Sequence, residues 1–324
     1  MHVDKVDILL ASYNGAKYIA EQIDSILDQT YSNWRLLVSD DGSIDETIQI
    51  VSSYIEKDSR IVLVKSRNKL GTAAGNFFGL LEYVDSPYAM FCDQDDVWDS
   101  DKIEISLKQM KRAEQEQKEK TPLLVFTDSR VVDNRLNEIF PSFVDLLSWD
   151  PKSVSFPQLV SGNVVQGSTI LVNYSLVKLA IKVGLPNRKM LHDWWMALLA
   201  KIAGEMIYID EATMSYRQHE SNVVGAHKKT FAGWLKRILI NPKVLRGVFE
   251  RARKDVGTLV SYAQNLLFND KIPLSDYHKK VLTEISSLPK VSLIKKITIF
   301  KKYSLISRGP VNQKIYRWLG LILL

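Results

Sequence analysis

The sequence predicts an α/β fold with a mostly parallel sheet over residues 1–227, followed by a basic α-helical region over residues 228–324. Three observations carry that expectation. Apolar runs of strand length alternate with helical patterns through the first hundred residues, which implies parallel strands joined by right-handed crossovers. Polar clusters stand at the ends of three of these runs, where open α/β sheets bind ligands. Charge also divides the 324-residue chain: the net value is +6, yet residues 228–324 hold 20 Lys+Arg against 5 Asp+Glu, and residues 1–227 hold 23 against 32.

The first strand, Val6 to Leu10, closes on Ala11-Ser12-Tyr13-Asn14-Gly15. Tyr18, Ile19, Gln22, Ile23, Ile26 and Leu27 then recur at helical spacing. A second apolar run, Trp34 to Ser39, leads into Asp40-Asp41-Gly42-Ser43. This is either a plain Asp-Gly turn or a place where a carboxylate accepts the N–H of a pyrimidine base. The glycines of Gly71-Thr72-Ala73-Ala74-Gly75-Asn76 either let backbone approach a ligand or start a helix through Phe77 and Leu81.

The apolar run Tyr88 to Cys92 ends in Asp93-Gln94-Asp95-Asp96. In an extended chain Asp93 and Asp95 share a face, and like charges that close stay ionised only with something positive between them. Oxygen-only ligands on a short acidic turn suit Mg2+ or Mn2+. The bland alternative is a solvated turn, with Trp98 and Asp99 beginning a helix. Farther on, Asp193 in His192-Asp193-Trp194-Trp195 either caps a helix running from Trp194 through Ala203 or takes a proton as general base. A strand Met206 to Ile209 and a polar turn Asp210-Glu211 lead to Tyr216-Arg217-Gln218-His219. Here a neutral His219 imidazole is suited to a metal and Arg217 to a phosphate.

The C-terminal region reads as helices broken at Asn241-Pro242, Ile272-Pro273, Leu288-Pro289 and Gly309-Pro310. Lys and Arg alternate there with Phe231, Trp234, Leu235, Ile238 and Leu239, then with Ile294, Ile297, Phe300 and Tyr303. Such helices lie on anionic membrane surfaces, pack on a partner domain or self-associate. Nucleic acid is not expected as a partner, because the rest of the chain is acidic and no RNA- or DNA-reading motif is present. Neither a signal peptide nor an apolar run of about 20 residues is visible. The single cysteine, Cys92, sits in an apolar strand and is expected to be reduced and buried, which suits the cytoplasm.

Taken together, Ala11-Ser12-Tyr13-Asn14-Gly15, Asp40-Asp41-Gly42-Ser43, Asp93-Gln94-Asp95-Asp96-Val97-Trp98 and His192-Asp193-Trp194-Trp195 resemble, in order and spacing, the family 2 glycosyltransferases. The resemblance covers residues 5 to 225. It implies the Rossmann-like GT-A fold, a nucleotide-sugar donor and a Mg2+ or Mn2+ cofactor. Ser12, Tyr13, Asn14, Asp40 or Asp41, Asn76, Asp93, Asp95 and Arg217 would then bind the donor. Asp95, Asp96 and His219 would hold the metal, and Asp193 would be the general base of a single displacement with inversion. Trp98, Trp194 and Trp195 offer aromatic faces to an acceptor sugar.

Among family members, His192-Asp193-Trp194-Trp195 with Tyr216-Arg217-Gln218-His219 and Asn222-Val223-Val224-Gly225 looks most like bacterial rhamnosyltransferases of cell-wall, capsule or O-antigen assembly. That implies dTDP-L-rhamnose as donor, with a UDP-hexose as the alternative. A lipid-linked or polysaccharide acceptor at the inner face of the cytoplasmic membrane would follow. The Gln-x-x-Arg-Trp signature of processive synthases is missing, so one sugar per encounter is expected. Two rivals stand outside this class. A dinucleotide-dependent oxidoreductase lacks its Gly-x-Gly-x-x-Gly after the first strand. A non-catalytic membrane scaffold leaves the acidic strand ends unexplained.

Overall fold

A computed structural model describes residues 4–65, 71–185, 190–219, 242–305 and 311–323. The Asn222-Val223-Val224-Gly225 motif, the Phe231 to Leu239 apolar set and the Gly309-Pro310 break lie outside the described residues. The chain divides into two compact units, residues 1–143 with 165–225 and residues 144–164 with 226–324. The stretch 144–164, which the sequence joins to the residues around it, groups with the C-terminal helices.

The first unit is built on one sheet, β3-β2-β1-β4-β8-β6-β9-β5, with β7 paired to β6. β1 (Val6–Ser12), β2 (Trp34–Asp40), β3 (Ile61–Leu63) and β4 (Tyr88–Asp93) are parallel neighbours. They are linked through α1 (Ile19–Leu27), α2 (Thr47–Ile55) and α3 (Ala73–Leu81). Both faces of β1 and β4 are covered, so Ile8, Leu9, Leu10, Met90, Phe91 and Cys92 are all fully buried, as expected for Cys92.

A short β5 (Val97–Trp98) and α4 (Lys102–Glu116) follow the acidic turn. β6 (Leu123–Val132) pairs parallel with β9 (Glu205–Arg217), and β8 (Ile170–Asn173) runs antiparallel between β4 and β6. β7 (Glu138–Phe140) is antiparallel to β6. α7 (Tyr174–Val183) and α8 (His192–Ala203) complete the unit.

One expectation is corrected at β9. Asp210-Glu211, read as a turn after a short strand, lies inside one long strand. Register slips there, from Phe126↔Tyr208 to Asp128↔Ala212, so the extra residues bulge outward and remain exposed. Polar, exposed residues in a bulge carry the same sequence signature as a turn.

The second unit contains α6 (Phe156–Ser161), α9 (Pro242–Leu267), α10 (Asp276–Ser286), α11 (Leu293–Lys302) and α12 (Val311–Leu323), preceded by α5 (Phe143–Leu146) at its boundary. Its core comprises Val256, Val260, Leu266, Leu282, Ile285, Phe300 and Leu321. Gly320 lets α12 approach α9 closely, since a Cβ there would stand 2.2 Å from the Ala252 carbonyl oxygen. Ser161 at the end of α6 accepts bonds from Arg317 of α12 at its carbonyl (2.5 Å) and hydroxyl (3.2 Å).

Candidate active site

The carboxyl ends of β1, β2 and β4 converge in register, Ser12 beside Asp40 and Ala11 beside Asp93. The β1 loop is held by side chains at four successive backbone N–H groups. Tyr13 donates to Gln94 Oε1 (2.9 Å), Asn14 to Ser43 Oγ (2.8 Å), Gly15 to Thr47 Oγ1 (2.8 Å) and Ala16 to Asp45 Oδ2 (3.1 Å). Asn14 sits at φ 48°, a left-handed conformation that Asn tolerates, and its Oδ1 accepts the Ile44 N–H at 2.9 Å. A loop whose N–H groups are spent in this way is no phosphate-binding nest. That is the opposite of a dinucleotide fingerprint.

The Asp40-Asp41 pair divides its labour. Asp40 accepts from Ser12 Oγ (3.0 Å), the Gly42 and Ser43 N–H groups (2.9 and 2.8 Å) and Ser43 Oγ (2.5 Å), which forms the turn. Asp41 anchors through its backbone, donating to the Ser12 carbonyl at 2.9 Å, so of the two aspartates Asp41 keeps the less committed carboxylate.

Three residues expected at ligands are structural. Asn76 is 5% exposed and donates to the Ser39 carbonyl (2.9 Å), bracing the strand ends from below. Thr72 accepts from Gly75 N–H and caps α3, so Gly71 to Asn76 is a helix start. Trp98 and Trp195 are core residues, 3% and 0% exposed, and Trp195 donates to the Gly184 carbonyl at 2.9 Å. Trp194 is half-buried, whereas Tyr13 stays 56% exposed.

The acidic turn departs from the extended geometry assumed for it. β4 stops at Asp93 and the chain turns at Gln94 and Asp95; Asp93 and Asp95 are both partly buried, the Asp95 side chain 18% exposed, and only Asp96 is fully buried. Asp95 Oδ2 lies 2.8 Å from His219 Nε2, which brings together two of the residues expected at a metal. His219 stacks on Tyr18 with ring centroids 5.1 Å apart. Asp96 is fully buried; its Oδ1 accepts the Arg217 N–H at 3.1 Å, and its Oδ2 has no hydrogen-bond partner among the described residues.

Arg217 was expected to contact phosphate, but its side chain is 1% exposed and committed to protein. It donates to the Asp95 carbonyl (2.8 Å), the Asn134 carbonyl (3.0 Å) and Glu21 (2.5 Å), with its guanidinium 4.5 Å above the Tyr18 ring. It shapes the turn rather than facing a ligand.

Asp193 sits in the first turn of α8, which begins at His192 and not at Trp194, so it lies inside the helix instead of capping it. Its Oδ1 accepts the Trp194 N–H at 2.6 Å. The α8 start is seated deeply because Gly167 leaves room: a Cβ there would stand 2.8 Å from His192 Nε2. His192 is wedged beside Phe77 and Phe91, at 4.0 and 5.1 Å, and burial pushes its pKa down to about 3, so it stays neutral. Asp193 is thereby brought into electrostatic reach of Asp93, from a position one hundred residues away in sequence.

The Asp93 carboxyl is pushed up to about 7, first by burial and then by the charges of Asp95 and Asp193. The sign for stability follows. Between about pH 4 and about 7 the folded protein keeps a proton at Asp93 that the unfolded chain has lost, so this group's contribution to stability falls as pH rises through that window. The buried, neutral His192 works in the opposite sense below about 6.5, so the Asp93 contribution is read as a difference: in thermal melts in EDTA, wild type should lose up to about 1.4 kcal/mol per pH unit relative to Asp93→Asn. Parallel pH profiles of the two proteins would assign the effect elsewhere.

Several contributors escaped the sequence reading. Tyr18 and Glu21 carry no motif that marks them, and Gln94, inside Asp93-Gln94-Asp95-Asp96, is given no role of its own by the sequence. Lys102 does leave a trace, a lysine on the apolar face of α4 beside Ile103 and Ser106. It is fully buried, donates to Thr213 Oγ1 (3.2 Å), and burial lowers its pKa to about 7 despite the nearby Cys92, Asp96 and Asp99 charges.

The residues suit a divalent cation in charge and donor type. The orphaned Asp96 Oδ2 and the mutual repulsion around Asp93 are features that a cation would relieve. Among the described residues no three His, Cys, Asp or Glu side chains converge on one point, so Asp95, Asp96 and His219 do not form the three-residue ligand set expected of them.

Residues 7–116 match the family model described as Glycosyl transferase family 2. The chain is 30% identical over 230 residues to the dTDP-rhamnosyl transferase RfbG of Shigella flexneri, covering 67% of this chain and 74% of that protein. A shorter match, 40% over 105 residues, covers 32% of this chain and 40% of the Escherichia coli UDP-Glc:alpha-D-GlcNAc-diphosphoundecaprenol beta-1,3-glucosyltransferase WfgD. The structure of S. aureus TarS 1-349 in complex with UDP-GlcNAc superposes with a TM-score of 0.56 at 15% identity, covering 98% of this chain and 88% of that one.

Proposed function

Because the chain belongs to glycosyltransferase family 2 and has the GT-A fold, we propose that it moves L-rhamnose from dTDP-L-rhamnose to a hydroxyl of a lipid-linked or polysaccharide acceptor, with inversion, in assembly of a bacterial surface polysaccharide. The observation that supports the chemistry is that Asp193, at the start of α8, lies within electrostatic reach of Asp93 at the end of β4, two acidic elements far apart in sequence. One supplies a base and the other supplies carboxylates for the cation that a diphosphate needs.

Asp193, on the first turn of α8, takes the proton of the acceptor hydroxyl as that oxygen attacks the anomeric carbon. Tyr13 offers its exposed ring to the base, Trp194 stands beside Asp193 on the acceptor side, and Asp41 accepts from the base or ribose. Asp95 with His219 would hold the Mg2+ or Mn2+. Such an ion would supply neutralisation of the charge that develops on the departing diphosphate. The dTDP-rhamnose reading is supported by the name of the Shigella relative. A UDP-hexose donor is the second reading, supported by the name of the E. coli relative, which also names a diphosphoundecaprenol acceptor.

Calorimetric titration with dTDP and UDP, with Mn2+ or Mg2+ and then with EDTA, tests the reading. Metal-dependent binding that favours dTDP is the expected result; indifference to both nucleotides in every condition would sink it.

The basic helices are part of the proposal, as an attachment to an anionic membrane face from the cytoplasmic side. No helix among the described residues is long and apolar enough to cross a membrane. The solvent face of α11 presents Leu293 and Ile294, 46% and 79% exposed, beside the exposed Lys290, Lys295 and Lys301. Co-sedimentation with phosphatidylglycerol vesicles, but not phosphatidylcholine ones, is expected and should weaken in Ile294→Glu. Concentration-dependent self-association without vesicle binding would instead assign this face to a second copy.

A further inference from the structure

We infer that Gln94 is a positioning residue for the donor, whose carboxamide joins the β1 loop and the acidic turn into one rigid edge of the nucleotide site; this rests on the nucleotide-sugar reading above. Gln94 projects from the turn between Asp93 and Asp95 and meets the backbone of Tyr13 with both ends of its amide. Oε1 accepts the Tyr13 N–H at 2.9 Å, and Nε2 donates to the Tyr13 carbonyl at 3.0 Å. Two antiparallel bonds of this kind fix orientation as well as distance, which a single bond does not.

The surroundings show that the contact is specified. Gly15 lies against the same amide, and a Cβ there would stand 2.2 Å from Gln94 Oε1. The other three N–H groups of the loop, at Asn14, Gly15 and Ala16, are held by the β2 side, through Ser43, Thr47 and Asp45. Gln94 is thus the acidic turn's hold on a loop that otherwise answers to β2. Without it, Tyr13, whose ring is 56% exposed, would be held only through the neighbouring Asn14, Gly15 and Ala16 and would lose its registration against Asp95.

The edge serves binding of the nucleotide in the ground state and the transition state alike, so its loss should raise KM more than it lowers kcat. Gln94→Ala removes both bonds. Gly15→Ala reaches the same contact by another route, driving a methyl group into the intact amide. Each variant is expected to weaken UDP or dTDP binding, and to raise the donor KM, by about tenfold, with kcat within about twofold of wild type. Gln94→Glu keeps the acceptor for the Tyr13 N–H but sets a carboxylate against the Tyr13 carbonyl, and should fall no better than Gln94→Ala in affinity.

The double variant separates this role from general loosening. With residue 94 reduced to Ala, the methyl at residue 15 has room, so Gly15→Ala/Gln94→Ala should bind no worse than Gln94→Ala alone. Multiplying losses in the double variant, or wild-type affinity in Gln94→Ala with the wild-type protein binding nucleotide normally, would overturn the inference. Failure of the wild-type protein to bind either nucleotide would instead be the failure of the donor reading, and this role would fall with it.

Discussion

Asp193→Asn is expected to lower kcat by about 10²- to 10⁴-fold, the range in which a positioned general base contributes, while leaving nucleotide affinity and the melting temperature close to wild type. The expected separation comes from geometry. Asp193 Oδ1 accepts the Trp194 N–H at 2.6 Å, and an asparagine Oδ1 accepts it equally well. The start of α8 is held by His192 against Phe77, Phe91 and Gly167, none of which is altered. What the substitution removes is the ability to take a proton, together with a negative charge that the helix N-terminus favours. Its loss also relieves repulsion on Asp93, so a destabilised protein is not the expected outcome. A variant within about fivefold of wild-type kcat would place the base on another residue.

Asp95→Ala is expected to abolish the metal-dependent part of nucleotide binding, a loss of at least about 100-fold in affinity. This residue tests the chemistry more cleanly than its neighbours. Asp95 holds Arg217 through its backbone carbonyl, at 2.8 Å, which the substitution keeps. Its carboxylate faces His219 at 2.8 Å and is partly open to solvent, which the substitution removes. Asp96→Ala, by contrast, would delete the acceptor of the Arg217 N–H and mix structural with chemical damage. Titration of wild type and variant with Mn2+ or Mg2+, followed by EDTA, reads the effect. Equal affinity in the variant, or equal affinity in EDTA, would remove the metal from Asp95.

The strands and their ligand-bearing ends were legible in the sequence because both depend on local order: apolar runs report burial, and a polar cluster directly after one reports where the strand leaves the core. Side-chain assignments within those clusters were less legible. Asp40 and Asp41 are adjacent and chemically identical, yet one forms the turn and the other does not, a difference set by Ser12 on the neighbouring strand. Trp98, Trp194 and Trp195 look alike as sugar platforms until their neighbours are known, and two of them are core. Arg217 and Asn76 were misread for a related reason. A polar residue near a site reads as a ligand contact, whereas these two spend their donors on backbone carbonyls from distant segments. Gln94 was passed over because its partner lies 81 residues upstream.

The buried guanidinium of Arg217 has a bearing on biosynthesis. It gathers Glu21, Asp95 and Asn134, which leave the ribosome long before it does, and it is the last residue of β9. A nascent chain arrested ahead of residue 217 holds the acidic turn in sequence but lacks the strut that gives it shape, and the most sequence-distant contacts are the last to be rewarded in folding. A chain that ends ahead of residue 217 is therefore expected to lack the shaped turn on which the proposed donor site depends.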